Sequence, residues 1–326
     1  ATVTAMTLIA IPPMLQRKYD KGLASGVVCA GGSLGILIPP SVMLVMYGPM
    51  ANLSVAKLFA AALFPGLLLS ALYLLYIGIR CWIDPKAAPA IPPEERPPYN
   101  WKLVKESAFI MLPTVVLIVA VLGSIMAGVA SPTEASGVGA FFALLLAAMY
   151  RKLNLKNVRE AAYETLIVTA MVCFIILGAG IFNAVFLYLG GGKLVAQLLI
   201  GLPFGKWFVL FIMMFILFIG GFFISWQALL FIVVPVFLPV VTELGFDQLW
   251  FGMLVCVNLQ MSFLTPPFAY AIFFLKGSAP PEITTWDIYR GVIPFVILQA
   301  VGLFFCVVWP DIILWLPRVT LGAGGR

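Results

Sequence analysis

The sequence predicts an all-α integral membrane protein built on an inverted repeat, with re-entrant hairpins and two broken helices. Three observations lead there. Hydrophobic residues make up 63% of the chain and charged residues 10%, with a mean hydropathy of +1.11. Globular domains run at about 45–50% and about 25%, so this composition belongs in lipid. Second, one pattern occurs twice: Tyr19-Asp20 leads to Pro39-Pro40, and Phe246-Asp247 leads to Pro266-Pro267. Sliding the chain by 227 residues superposes these pairs, along with Pro12 on Pro239, Cys29 on Cys256 and Leu37 on Leu264. With a small drift, Leu58-Phe59 and Phe64-Pro65 then match Ile288-Tyr289 and Ile293-Pro294. Third, the two copies differ in charge at equivalent turns: QRKYDK at Gln16–Lys21 is basic, and TELGFDQ at Thr242–Gln248 is acidic.

The elements follow in order. Ala1–Leu15 makes about 22 Å of helix, too short for a span and suited to one arm of a hairpin. The chain starts without Met inside this apolar run and reads as a fragment, the first hairpin tip lying upstream of Ala1. Gly22–Met50 holds the first broken helix, and Val55–Trp82 is a span kinked at Pro65. Residues 1–83 are thus the remainder of the first repeat. Residues 84–102 are a stiff connector with six prolines between Asp84 and Trp101. Residues 103–326 form the second repeat. Within it, Leu103–Gly128 and Pro132–Tyr150 are spans, with Glu134 favourably placed at a helix start. Val158–Leu189 is a long span after the basic stretch Arg151–Arg159, and Lys193–Leu202 suits the interface. A hairpin over 206–244, tipped near Ser225, precedes the broken helix 248–277 and a final span.

Charge orients these elements. Short basic loops stay in the cytoplasm, which places Gln16–Lys21, the connector and Arg151–Arg159 there. Counting spans then puts Gly190–Gly192 and Thr242–Gln248 outside, so the two repeats have opposite topologies. The net charge of +6 is accounted for by these flanks and needs no nucleic acid.

A Pro-Pro pair removes two backbone donors, and lipid cannot satisfy the carbonyls left behind. One such pair also reads as a plain kink, and a nearby Ser or Thr as a side chain bonding back to its own helix. Two breaks in corresponding halves instead mark the binding site of a secondary transporter. Between Gly22 and Met50, and between Leu249 and Lys276, there is no carboxylate and no histidine, which disfavours a proton relay. The ligands on offer are neutral oxygens: backbone carbonyls at Ile36–Pro40 and Phe263–Pro267, with Ser33, Ser41, Ser225, Asn258, Gln260, Ser262 and Thr265. Freed carbonyls suit Na⁺, and half-helix N-termini suit an anionic substrate. The five cysteines lack metal spacing, and no nucleophile with a base or phosphate loop is present, so the chain is not expected to be an enzyme.

Three stretches carry a family resemblance. They are ATVTAM…Pro12 running through Tyr19-Asp20-Lys21 to GGSLGILIPPS (Gly31–Ser41), then SPTEASGVGA (Ser131–Ala140), then Val234–Phe295 with its FLTPPFAY core. Together they resemble the large, DctM-type membrane subunit of the tripartite ATP-independent periplasmic (TRAP) transporters. That resemblance implies an elevator-type carrier, similar in fold to the ion transporter superfamily, in the bacterial inner membrane. It also implies a small four-helix membrane subunit, separate or fused, and a periplasmic substrate-binding protein. The implied activity is Na⁺-coupled uptake of an organic acid. Family Na⁺ sites pair each hairpin tip with the break of the following helix, which carries onto Gly35, Ile38 and Pro39 in one half. In the other half it carries onto Ser225, Thr265 and Pro266. Ser33, Ser41, Asn258, Gln260 and Pro267 are the candidate substrate contacts. Where relatives of one branch have Asp before the tip Trp, this chain has Ser225-Trp226. The alternative reading is a structural membrane subunit, or fragment of a larger assembly, that does not itself transport.

Overall fold

The computed structural model describes residues 2–92, 94, 96 and 100–322. Among them every regular element is a helix: α1 (Thr2–Gln16), α2 (Lys21–Leu37), α3 (Val42–Met50), α4 (Val55–Ile83), α5 (Trp101–Met126), α6 (Pro132–Met149) and α7 (Leu155–Tyr188). Then come α8 (Gly191–Ile200), α9 (Lys206–Phe223), α10 (Trp226–Glu243), α11 (Gln248–Ser262), α12 (Tyr270–Ser278), α13 (Thr285–Val308) and α14 (Asp311–Leu321). Eight helical segments among the described residues are long and apolar enough to cross a membrane, one of them running through α2 and α3 together. The chain divides into two compact units, 1–90 with 179–326, and 91–178.

In the larger unit α1–α4 and α10–α13 repeat one another, and the same local chemistry starts the same helices. Asp20 caps α2 by accepting the Leu23 N–H at 2.7 Å, and Asp247 caps α11 by accepting the Trp250 N–H at 2.8 Å. These are the same two positions under the 227-residue offset. Each side-chain oxygen takes one of the donors that a helix start leaves without an internal partner. Prolines set the other end: α2 stops at Leu37 before Pro39-Pro40, and α11 at Ser262 before Pro266-Pro267. Both Pro-Pro bonds are cis. The residues of α11 from Trp250 to Ser262 are buried all round, as expected of a helix sheathed by its neighbours.

The two copies run in opposite directions, and α13 shows it. At its N-terminal end, a Cβ built on Gly26 would lie 2.1 Å from the Gly291 carbonyl oxygen, so α2 and α13 meet backbone to backbone. At its C-terminal end, the Trp250 indole donates to the Cys306 carbonyl at 2.9 Å. The starts of the two broken helices therefore sit at opposite ends of a helix about 36 Å long. On the α2 side, the Lys21 ammonium donates to the Glu282 carbonyl at 2.8 Å, and the Asp20 N–H to the Ala87 carbonyl at 2.8 Å.

The smaller unit holds α5, α6 and the first part of α7. Ser131 and Glu134 form a reciprocal cap at the start of α6, the Ser131 N–H donating to the Glu134 carboxylate at 2.7 Å. Most of its apolar side chains are exposed, including Phe109, Ile110 and Phe141.

Candidate functional site

The first break is short. The Ile38 N–H still reaches the Leu34 carbonyl at 2.9 Å, so the helix persists through Gly35, and the gap covers only Ile38 to Ser41. Pro39 and Pro40 have no N–H, so the carbonyls of Gly35 and Ile36 lose their helical donors. The Ser41 hydroxyl donates to the Ile36 carbonyl and accepts the Leu44 N–H at 3.3 Å, bridging the gap and starting α3. Gly35 has no side chain to cover its carbonyl. A Cβ placed there would lie 3.8 Å from the Thr2 hydroxyl, which sets the start of α1 beside the break. One turn back, a Cβ on Gly32 would lie 2.5 Å from a Val3 methyl. On the opposite flank Ile38 packs onto Gly66 of α4.

The second break is longer, from Phe263 to Ala269. Pro266 and Pro267 deprive the carbonyls of Ser262 and Phe263, and the Ala271 N–H takes the Phe263 carbonyl at 3.1 Å. The hairpin tip between α9 and α10 lies directly against it. The Phe268 N–H donates to the Phe222 carbonyl at 3.3 Å, and a Cβ on Gly221 would lie 2.4 Å from that of Ser262. The Trp226 and Phe263 rings lie 6.3 Å apart. Ser225 sits in this tip, half-buried, its hydroxyl accepting the Ala228 N–H at 3.3 Å. Ala269 is held at φ +23°, a strained conformation for a residue with a Cβ.

The polar side chains singled out from the sequence divide into two kinds. Some hold the scaffold. The Asn258 amide donates to the Met214 carbonyl at 2.6 Å, fastening α11 to the hairpin arm α9, and the Ser33 hydroxyl returns to the Ala30 carbonyl at 2.8 Å. Thr265 donates its hydroxyl proton to the Met261 carbonyl at 3.1 Å, which leaves the oxygen's lone pairs for a further ligand. Thr265 and Pro266 also line a cavity of about 310 Å³ with Tyr289 and Val292 of α13. Gln260 is different: it is fully buried, and neither atom of its amide has a hydrogen-bond partner among the described residues. It occupies the position that Ser33 holds in the first copy. Ser225, Thr265, Pro266 and Pro267 are thus gathered at one break, and Gly35, Ile38, Pro39 and Ser41 at the other. Among the described residues no three Asp, Glu, Cys or His side chains come together. A cation at either break would therefore rely on carbonyl and hydroxyl oxygens.

Some buried polar groups were not singled out from the sequence. Gln299 of α13 faces the Tyr73 hydroxyl, the Tyr47 hydroxyl is buried with no hydrogen-bond partner among the described residues, and the Asn183 amide donates to the Phe231 carbonyl at 2.7 Å. A polar residue inside an apolar span is the signal that would have found them.

The pattern of the tripartite ATP-independent periplasmic transporter DctM component matches residues 1–312. The chain belongs to the DctM family. Its similarity to individual members is spread over nearly its whole length. It is 32% identical to the C4-dicarboxylate TRAP transporter large permease protein DctM of Pseudomonas aeruginosa over 98% of this chain and 73% of that protein. It is 31% identical to the sialic acid TRAP transporter large permease protein SiaM of Vibrio cholerae, over 96% of this chain and 72% of that protein. The ectoine/5-hydroxyectoine TRAP transporter large permease protein UehC of Ruegeria pomeroyi is 31% identical over 97% of this chain and 72% of its own length. The DctM family is one of transporters, not enzymes. With eight apolar spans among its described residues, the chain is a multi-pass membrane protein and one component of a tripartite system for substrate uptake.

Proposed function

We propose that this DctM-type permease works in the bacterial inner membrane, taking an organic acid from a periplasmic binding protein and carrying it inward with Na⁺. One observation carries the reading. Two proline-broken helices start at opposite ends of α13, and each break lies against a hairpin arm, with freed carbonyls and no carboxylate or histidine within either broken helix. Neutral oxygens of this kind suit a desolvated alkali cation, while a proton relay would call for a carboxylate or histidine. The third component is a small membrane subunit, separate or fused. The relatives act on chemically different solutes according to their names, so the acid handled here follows from the binding protein as much as from the permease.

Moving one net charge through 100 mV contributes about 2.3 kcal/mol, or roughly fifty-fold accumulation. The test is uptake of labelled monocarboxylates, 2-oxo acids and C4-dicarboxylates into proteoliposomes. These hold the permease and small subunit, with the binding protein outside and an inward Na⁺ gradient. Uptake is expected to need both the binding protein and Na⁺, and to survive collapse of the pH gradient. Uptake that persists without Na⁺ but vanishes with a protonophore at clamped voltage would overturn the coupling.

A further inference from the structure

Where α2 and α13 begin and α4 ends, the packing leaves a cavity of about 450 Å³. Its charged lining is Arg80, Arg290 and Asp20, and Tyr76, Ile293 and Pro294 form part of its wall. The Asp20 carboxylate is already engaged, accepting the Leu23 N–H at the head of α2. Arg80 lies 3.6 Å from Asp84, but both side chains are about two-fifths exposed, at 39% and 41%, and such a pair exchanges readily. Two guanidiniums therefore share a cavity with one carboxylate.

The internal repeat shows that the fold does not require two arginines here. At the equivalent place near the far end of α13, Trp309 stands for Arg80 and Phe305 for Tyr76, and alanines near Ala60 and Ala61 stand for Arg290. There the Phe305 and Trp309 rings lie 5.6 Å apart, with Trp309 55% exposed, and Ala60 and Ala61 are buried, so these positions carry no charge. The cavity at the start of α13 is the one that carries the two arginines. Its apolar wall runs out to Ile293, 57% exposed on a membrane-spanning helix. An occupant must therefore be anionic at the arginines and apolar along α13.

We propose that this cavity binds an anionic phospholipid, its phosphate held by Arg80 and Arg290 and an acyl chain lying along Ile293 and Pro294. Guanidinium forks match phosphate oxygens, and basic pockets at the ends of spans take lipid headgroups. The lipid would tie the start of broken helix α2 to α13 and α4.

The experiment follows thermal unfolding of the purified permease in a neutral detergent while phosphatidylglycerol, phosphatidylcholine, diacylglycerol or inorganic phosphate is added. Native mass spectrometry reads the lipid carried through purification. Phosphatidylglycerol is expected to stabilise the protein saturably. Its half-saturating concentration should rise about tenfold or more in the Arg80→Gln/Arg290→Gln double variant. Arg80→Lys/Arg290→Lys should keep part of the effect, and the single Gln variants, each losing one donor, should fall between. Should the double variant not fold, the single variants decide. Equal half-saturation and equal retained lipid in wild type and Gln variants would overturn the site. An equal shift from inorganic phosphate alone would make it a soluble-anion site, and an equal shift from phosphatidylcholine would remove the role of the arginines. Either outcome overturns the proposal.

Discussion

The Gly22 carbonyl oxygen lies where a side chain on Gly291 would have to go: a Cβ built there would be 2.0 Å away. No rotamer relieves that overlap, because both sides of the contact are backbone. Gly291→Ala is expected to push α13 from α2 and cost about 1–3 kcal/mol. Gly78→Ala, inside α4 with nothing within 4 Å, should lose no stability and gain up to about 1 kcal/mol from helix propensity. Thermal unfolding of both variants in one detergent checks this. Equal midpoints would mean that the helices separate freely there.

The placement of the α2 and α11 starts at opposite ends of α13 predicts opposite exposure of their flanking turns. Single cysteines at Gln16 and Gln248 should label from opposite faces of the membrane with an impermeant maleimide. The background must lack the five native thiols, of which Cys173 is exposed. Labelling from one face would contradict the inverted arrangement.

Ser41 carries two bonds across the first break, to the Ile36 carbonyl and from the Leu44 N–H. Ser41→Ala should therefore lose about 0.5–2 kcal/mol of stability, as cap removals do, and Ser41→Asn should recover part of it. Stability is read from thermal unfolding. An unchanged midpoint in Ser41→Ala would mean that the break holds without its hydroxyl bridge.

Thr265 offers a test of the proposed ion site. Its proton is committed to the Met261 carbonyl, so what an ion would use is the oxygen's free lone pairs. Thr265→Val keeps the shape and removes that oxygen. The Na⁺ concentration for half-maximal uptake should rise about tenfold or more, equivalent to roughly 1.4 kcal/mol of binding. Ser225→Ala should move it the same way. Ser70→Ala, whose hydroxyl returns to Gly66 on an unbroken span, should not. Identical Na⁺ curves at matched expression would make Thr265 a structural helix residue.

The residues by themselves determined the membrane class, the two proline breaks and the repeated Asp-to-Pro spacing. The first two follow from short-range chemistry: proline has no N–H, and a 63% apolar chain has no aqueous solution. Break edges already needed more, since Gly35 falls inside α2 only because the Ile38 N–H still finds Leu34. What the tertiary structure decided depends on residues far apart in the chain. It determined that Ser41 closes its own break while Gln260, at the position matching Ser33, stays buried and unpartnered among the described residues. It determined that α14 forms a separate amphipathic helix after the last span. It also determined that Arg80 and Arg290, more than two hundred residues apart in the chain, share a cavity. Helix propensity and hydrogen-bond rules act over a turn or two, whereas close packing is set by which surfaces meet, and no local pattern encodes that.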